Sequence, residues 1–156
     1  MKHKRRIVII IVVAVLIPIA ALAIMSASSS RPEDLGIADG RLSPCPETPN
    51  CISTQAADDE HRMEPVPFVG SAQAKIGQLK AVIQSMPRTR IITEAPNYLH
   101  VECTSLLFRF IDDLEFYLDG TAKLIHFRSA SRSGRSDLGA NRRRINEIVD
   151  GLKSSL

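Results

Sequence analysis

The chain has 156 residues and a formal net charge of +3, but four of its twenty basic residues (Lys2, Lys4, Arg5 and Arg6) stand ahead of an apolar leader. Without them, sixteen basic face seventeen acidic side chains. A near-neutral body lacks the basic face needed to displace counterions, so no nucleic-acid partner is expected, and roughly 120 residues past the leader support one hydrophobic core rather than two.

Ile7 to Met25 are 19 consecutive uncharged residues, mostly Ile, Val, Ala and Leu, broken only by Pro18. As a helix this run is about 29 Å long, close to the hydrocarbon thickness of a bilayer. The basic residues before it predict a cytoplasmic N-terminus and a domain on the extracytoplasmic, periplasmic side of the cell membrane. A cleaved signal peptide is the rival reading, because Ala21-Leu22-Ala23 fits a cleavage pattern and cleavage would release the domain to the periplasm. The run exceeds the usual 7–15-residue core of a signal peptide, which favours an uncleaved single-pass anchor. Either way the domain is exported. The expected organisation is residues 1–30 as anchor or signal with its linker, 31–39 as linker and 40–156 as a single α+β domain.

Past the linker, the segment from Gly40 to Cys51 holds too many prolines for a helix or a central strand. A helix is predicted from Ser71, with Ser71 as cap, Ile76, Leu79, Val82, Ile83 and Met86 at helical spacing, and Pro87 as the stop. Four strands should follow. The first is Arg90–Glu94, and the second is Tyr98–Cys103, where Leu99, Val101 and Cys103 oppose Tyr98, His100 and Glu102. Third comes Leu106–Leu118, with Phe110, Asp112, Leu114, Phe116 and Leu118 on one face and Ile111, Asp113, Glu115 and Tyr117 on the other. Asp119-Gly120 marks a hairpin, and Lys123–Ser131 returns with Ile125 and Phe127 inward. A last helix is capped near Ser136 or Asp137, with Leu138, Ile145, Ile148, Val149 and Leu152 as its stripe. The predicted fold is α+β: an antiparallel sheet of about four strands with two helices packed on one face. An N-terminal transmembrane or signal segment and an irregular Pro-rich segment precede it.

Gly40–Cys51, and Phe110–Phe116 leading to Ile125–Ile145 with its signature Arg-Ser-Ala-Ser-Arg-Ser-Gly-Arg-Ser-Asp-Leu-Gly-Ala-Asn-Arg at Arg128–Arg142, resemble the domain-of-unknown-function family numbered 1499. The resemblance runs from about Gly40 to Leu152 and shows no departure in either stretch. It implies an exported or membrane-associated protein of bacteria, with relatives in plant plastids, and no established activity.

In an oxidising compartment Cys45 and Cys51 are a candidate disulfide that would pin the Pro-rich segment to the sheet. Two alternatives stay open: a zinc site with His61 or Cys103, and a redox-active pair, although the spacing is not Cys-x-x-Cys. Cys103 itself reads as a buried free thiol. Asp112 and Asp113 are candidate buried polar residues. Adjacent in a strand, they face opposite sides of the sheet and cannot form a carboxylate pair. Asp113 shares its face with Glu115 and, across the hairpin, with His126 and Arg128, where ion pairing is the structural reading.

The Arg128–Arg142 passage offers a candidate anionic-ligand site made of Arg128, Ser129, Ser131, Arg132, Ser136, Asp137, Asn141 and Arg142. Asn141 stands on the apolar stripe and must be satisfied internally or by a ligand. The competing reading is a capping network of Ser136, Asp137, Gly139 and Asn141, with Arg143 and Arg144 solvated. No catalytic residue, metal site or cofactor is assigned, since the sequence lacks a Gly-x-Ser-x-Gly elbow, a His-Glu-x-x-His pair, a phosphate-binding loop and a dinucleotide fingerprint. The leading expectation is a non-enzymatic envelope module, with the membrane contacting residues 7–25 and a protein partner or small anionic ligand at the domain. One alternative is a hydrolase or isomerase using Asp112 or Asp113 with Arg128, Ser129, Arg132 and Asn141, and another is a purely structural accessory subunit.

Overall fold

The computed structural model describes residues 2–154. Residues 1, 155 and 156, which the expected boundaries include, lie outside the described residues. The elements run α1 (Lys2–Ala27), β1 (Cys51–Ser53), β2 (Val66–Pro67), α2 (Ala72–Ser85), β3 (Thr89–Ala95), β4 (Tyr98–Thr104), β5 (Ile111–Asp119), β6 (Leu124–Ser131) and α3 (Ala140–Ser154). α1 is long and apolar enough to cross a membrane, a character that a signal sequence shares.

The sheet is antiparallel throughout, in the order β1-β6-β5-β4-β3, and β2 pairs with the other end of β6. It therefore has six strands, not about four. Both extra strands lie at or past the end of the Pro-rich Gly40–Cys51 segment, where no strand is predicted. Cys51–Ser53 lies just past the prolines and pairs over only three residues, Cys51 with Ala130 through Ser53 with Arg128. Val66-Pro67 sits at an edge, where a missing N–H is tolerated. The strand predicted to begin at Leu106 begins at Ile111 instead. Thr104 and Ile111 are direct partners, so the residues between them must turn the chain and have no place in the ladder. That loop closes on itself, with Ser105 N donating to Phe110 O at 2.8 Å and Phe110 N to Ser105 Oγ at 2.9 Å.

On one face of the sheet Val101, Leu114 and Ser129 lie in register, followed by Leu99, Phe116 and Phe127, then Leu118 and Ile125. Ile76, Leu79 and Ile83 of α2 and Ile145, Ile148 and Leu152 of α3 join these apolar residues in one buried core. Ser71 caps α2 by accepting from Ala74 N at 3.2 Å. Leu138 departs from its expected role. It has φ +54°, which a helix excludes, and is 85% exposed, so the apolar stripe of α3 starts at Asn141 and Ile145.

Gly151 of α3 packs against Val82 of α2. A Cβ there would stand 2.8 Å from Val82 Cγ1, a stiff β-branched neighbour. Helix propensity alone favours Ala over Gly by about 1 kcal/mol. Overpacking should outweigh that gain, so Gly151→Ala is expected to lower stability by about 1 kcal/mol net in thermal melts.

Candidate functional site

The second face of the sheet is also buried, although it carries charge. Tyr98, His100 and Glu102 of β4, Asp113 and Glu115 of β5, and Arg128 of β6 all lie below a tenth exposed. The linker covers part of this face, with Gly36 N donating to Glu115 Oε1 at 2.7 Å. Arg132, just past β6, is the hub. Its Nε donates to Asp113 Oδ2 at 2.7 Å, and its terminal nitrogen to Asp113 Oδ1 at 2.7 Å and Glu102 Oε1 at 2.5 Å. His100 Nε2 stands 2.7 Å from Asp113 Oδ1, and Arg90 donates to the other Glu102 oxygen at 2.7 Å. A second cluster centres on Glu115, which accepts from Tyr98 OH at 2.8 Å and from Arg128 at 3.3 Å.

Burial works to raise the Glu102 pKa, but hydrogen bonds and charge from Arg90 and Arg132 override it and hold the carboxyl at about 2. Burial likewise opposes ionisation of Asp113, and Arg132 and His100 reverse it, so its pKa is lowered. Both folded-state values lie below the ordinary ones. Their stabilisation is therefore complete above the ordinary carboxylate range and is lost as pH falls through the folded values. Thermal melts should show a fairly level Tm near neutrality and a steep fall between pH 4.5 and about 2.

Beside this network lies a cavity of about 380 Å³ whose walls include Pro32, Asp34, Pro44, Cys45, Arg128 and Arg132. Arg128 is 7% exposed, and its Nε is buried without a hydrogen-bond partner. One wall is held by the bond between Cys45 and Cys51. The same loop is clamped elsewhere. His61 Nε2 stands 3.2 Å from Thr48 O, Asn50 Nδ2 donates to Gly134 O at 2.7 Å, and Asn141 Nδ2 donates to Asn50 O at 2.9 Å.

The helix face holds a separate polar cluster. Asn141 Oδ1 accepts from Ser129 Oγ at 2.5 Å and from Arg144 at 2.9 Å, and its amide also donates to Ser131 Oγ at 3.2 Å. Asp112 accepts from Ser131 Oγ at 2.5 Å and from Arg144 at 2.7 Å. Arg144 is therefore not the solvated residue the sequence suggests. Its position, three after Asn141, carries it back toward the sheet to meet the carboxylate of Asp112. Arg143 is exposed, as expected.

The eight residues proposed as one ligand site do not share a surface. Arg128 and Arg132 belong to the charged face. Ser129 and Asn141 meet between the sheet and α3, while Ser131, at the strand end, touches both the Asn141 cluster and the cavity. Asp137 caps α3 by accepting from Gly139 N and Asn141 N, and Ser136 Oγ accepts from Leu138 N. Arg142 donates to the Glu60 and Arg62 carbonyls. The constellation suggested for an enzyme is split likewise, with Asp113, Arg128 and Arg132 on one side of the sheet and Asp112, Ser129 and Asn141 on the other. Arg128 does pair across the hairpin with Glu115, whereas His126 turns to Thr54 and stacks on Tyr117. Cys103 lies in the core, where burial pushes its thiol up to about 11. Tyr98, His100 and Glu102 were visible as one face of a strand, but alternation does not disclose that a polar face is covered.

The geometry defines an α+β protein with a helix-backed antiparallel sheet, a disulfide-pinned loop and a buried ionic network on the second face. A family model described as "Protein of unknown function (DUF1499)" matches residues 41–152, and the chain belongs to that family. No curated protein and no solved structure matches it.

Proposed function

We propose that this protein is a non-enzymatic binding module of the cell envelope, anchored through α1 with its domain outside the cytoplasm, which takes a small anionic ligand in the cavity beside Arg128. The carrying observation is the buried Arg128 Nε without an acceptor. Leaving such a donor unpaired costs about 1–3 kcal/mol, which a carboxylate or phosphate that draws the guanidinium toward the cavity would remove. A guanidinium suits either group, because its planar fork matches two oxygens at once. The cavity's size, about 380 Å³, fits a small molecule rather than a polymer. Basic residues in the first turns of α1 and an apolar run longer than a cleavable signal core support the anchored topology.

The test is a set of thermal melts of the full chain in detergent micelles, with acetate, succinate or inorganic phosphate against chloride at matched ionic strength. At ten times its Kd a ligand adds about 1.4 kcal/mol of stability, enough to read as a saturable rise in Tm. The rise should vanish in Arg128→Met, provided that variant still melts cooperatively. No shift with any of the three anions, or an equal shift in Arg128→Met, overturns the reading.

A further inference from the structure

We infer that the loop joining β4 to β5 is a second membrane contact, a preformed finger whose Leu106 and Leu107 enter the leaflet from which α1 emerges while Arg88 and Arg109 meet lipid phosphates. This rests on the reading of α1 as a membrane anchor. Leu106 is 69% exposed and Leu107 79% exposed, an unusual display for adjacent leucines. Their position in the fold gives the reason. Thr89 pairs with Cys103 and Thr104 with Ile111, so the start of β3 and the β4–β5 loop lie at one end of the sheet. The end of β6 is there too, since Asp112 pairs with Ser131.

The exit of α1 lies at this same end. Ser133 Oγ, two residues past β6, donates to Met25 O at 3.4 Å. Ile19 and Ala23 of α1 share one cleft with Leu107, Phe108, Arg88 and Arg109. Ile19 is six residues before the end of the uncharged run, about 9 Å deeper along the helix. A finger that shares a cleft with Ile19 therefore stands level with acyl chains when α1 spans the bilayer. Arg88 and Arg109 are exposed residues with φ +59° each that line the same cleft, and their long side chains can extend outward to headgroups while the leucines stay among acyl chains. Basic groups near an anionic surface and apolar side chains in the interface are the two components of peripheral lipid binding. The hydrogen bonds from Ser105 to Phe110 already close the loop, so insertion need not order it.

The chain has no Trp, so a single introduced one reports its own surroundings. Leu107→Trp, Leu16→Trp and Val69→Trp full-length variants would be reconstituted in phosphatidylcholine/phosphatidylglycerol vesicles, with and without acyl-brominated lipid. Val69 is exposed and lies next to Phe68, which bonds to Lys123 in the turn at the far end of the sheet. The expected result is blue-shifted emission and about twofold quenching for Leu107→Trp and Leu16→Trp, with Val69→Trp water-like and unquenched. If Leu16→Trp is quenched and Leu107→Trp is not, the finger is overturned while the anchor stands. If neither is quenched, the anchor reading fails and the finger with it. Equal quenching of Val69→Trp also overturns the inference, because the contact would then not belong to this end of the domain.

Discussion

Arg132→Met is expected to destabilise the fold by about 3–5 kcal/mol, because it strands buried carboxylates rather than merely deleting a contact. The Arg132 side chain is 5% exposed, and those of Asp113 and Glu102 are 1% and 7% exposed. His100 remains beside Asp113 and Arg90 beside Glu102, which places the loss at the lower end of that range. Arg132→Lys keeps the charge but cannot present the fork that joins Asp113 to Glu102, so it should recover less than half of the loss. Acidification supplies an independent check. Asp113 is held ionised by Arg132, so without that arginine its carboxyl protonates more readily. The gap between variant and wild type should therefore narrow as pH falls below the ordinary carboxylate range. Thermal melts across pH would measure it, and a gap below about 1 kcal/mol at neutral pH would place these ion pairs with solvent-exposed ones.

Asn141→Ala should cost about 2–3 kcal/mol, since the Ser129 hydroxyl and the Asn50 carbonyl both lose their amide partner inside the fold. The effect reaches further than one helix. Through Asn50 the amide holds the disulfide-bearing loop to α3, and through Ser129 it holds β6. Asn141→Asp is expected to do no better, despite its shape, because it replaces a donor with an acceptor facing the Asn50 carbonyl and adds charge near Asp112. A double-mutant cycle with Ser129→Ala should show coupling of at least about 0.5 kcal/mol. Strict additivity would mean that the short contact between the two side chains carries no energy.

Much of the scaffold follows from local chemistry. Ser71 and Pro87 bracket α2 because one can accept a free helix N–H and the other cannot continue a helix. Alternation in β5 puts Asp112 and Asp113 on opposite faces and thereby excludes a paired-carboxylate site. The spacing of Cys45 and Cys51, together with the apolar leader, pointed to their bond, which the structure contains. Asn141 was legible as a polar group on an apolar stripe, and its partners prove to be internal. Leu138, Arg144 and the residues between Thr104 and Ile111 were not legible in this way. Each depends on where a neighbouring element ends or which side chain faces it.

The amino-acid order by itself determined the apolar leader, the helix boundaries set by caps and prolines, and which strand residues share a face, because those properties depend on contacts between near neighbours. Only the tertiary structure decided that the charged face is buried, that Arg132 joins Asp113 to Glu102, and that Arg128 is left with an unmatched donor beside a cavity. These outcomes require residues from four strands and a proline-bracketed covering segment to meet. Periodicity records which way a side chain points, but not what the rest of the chain will lay against it.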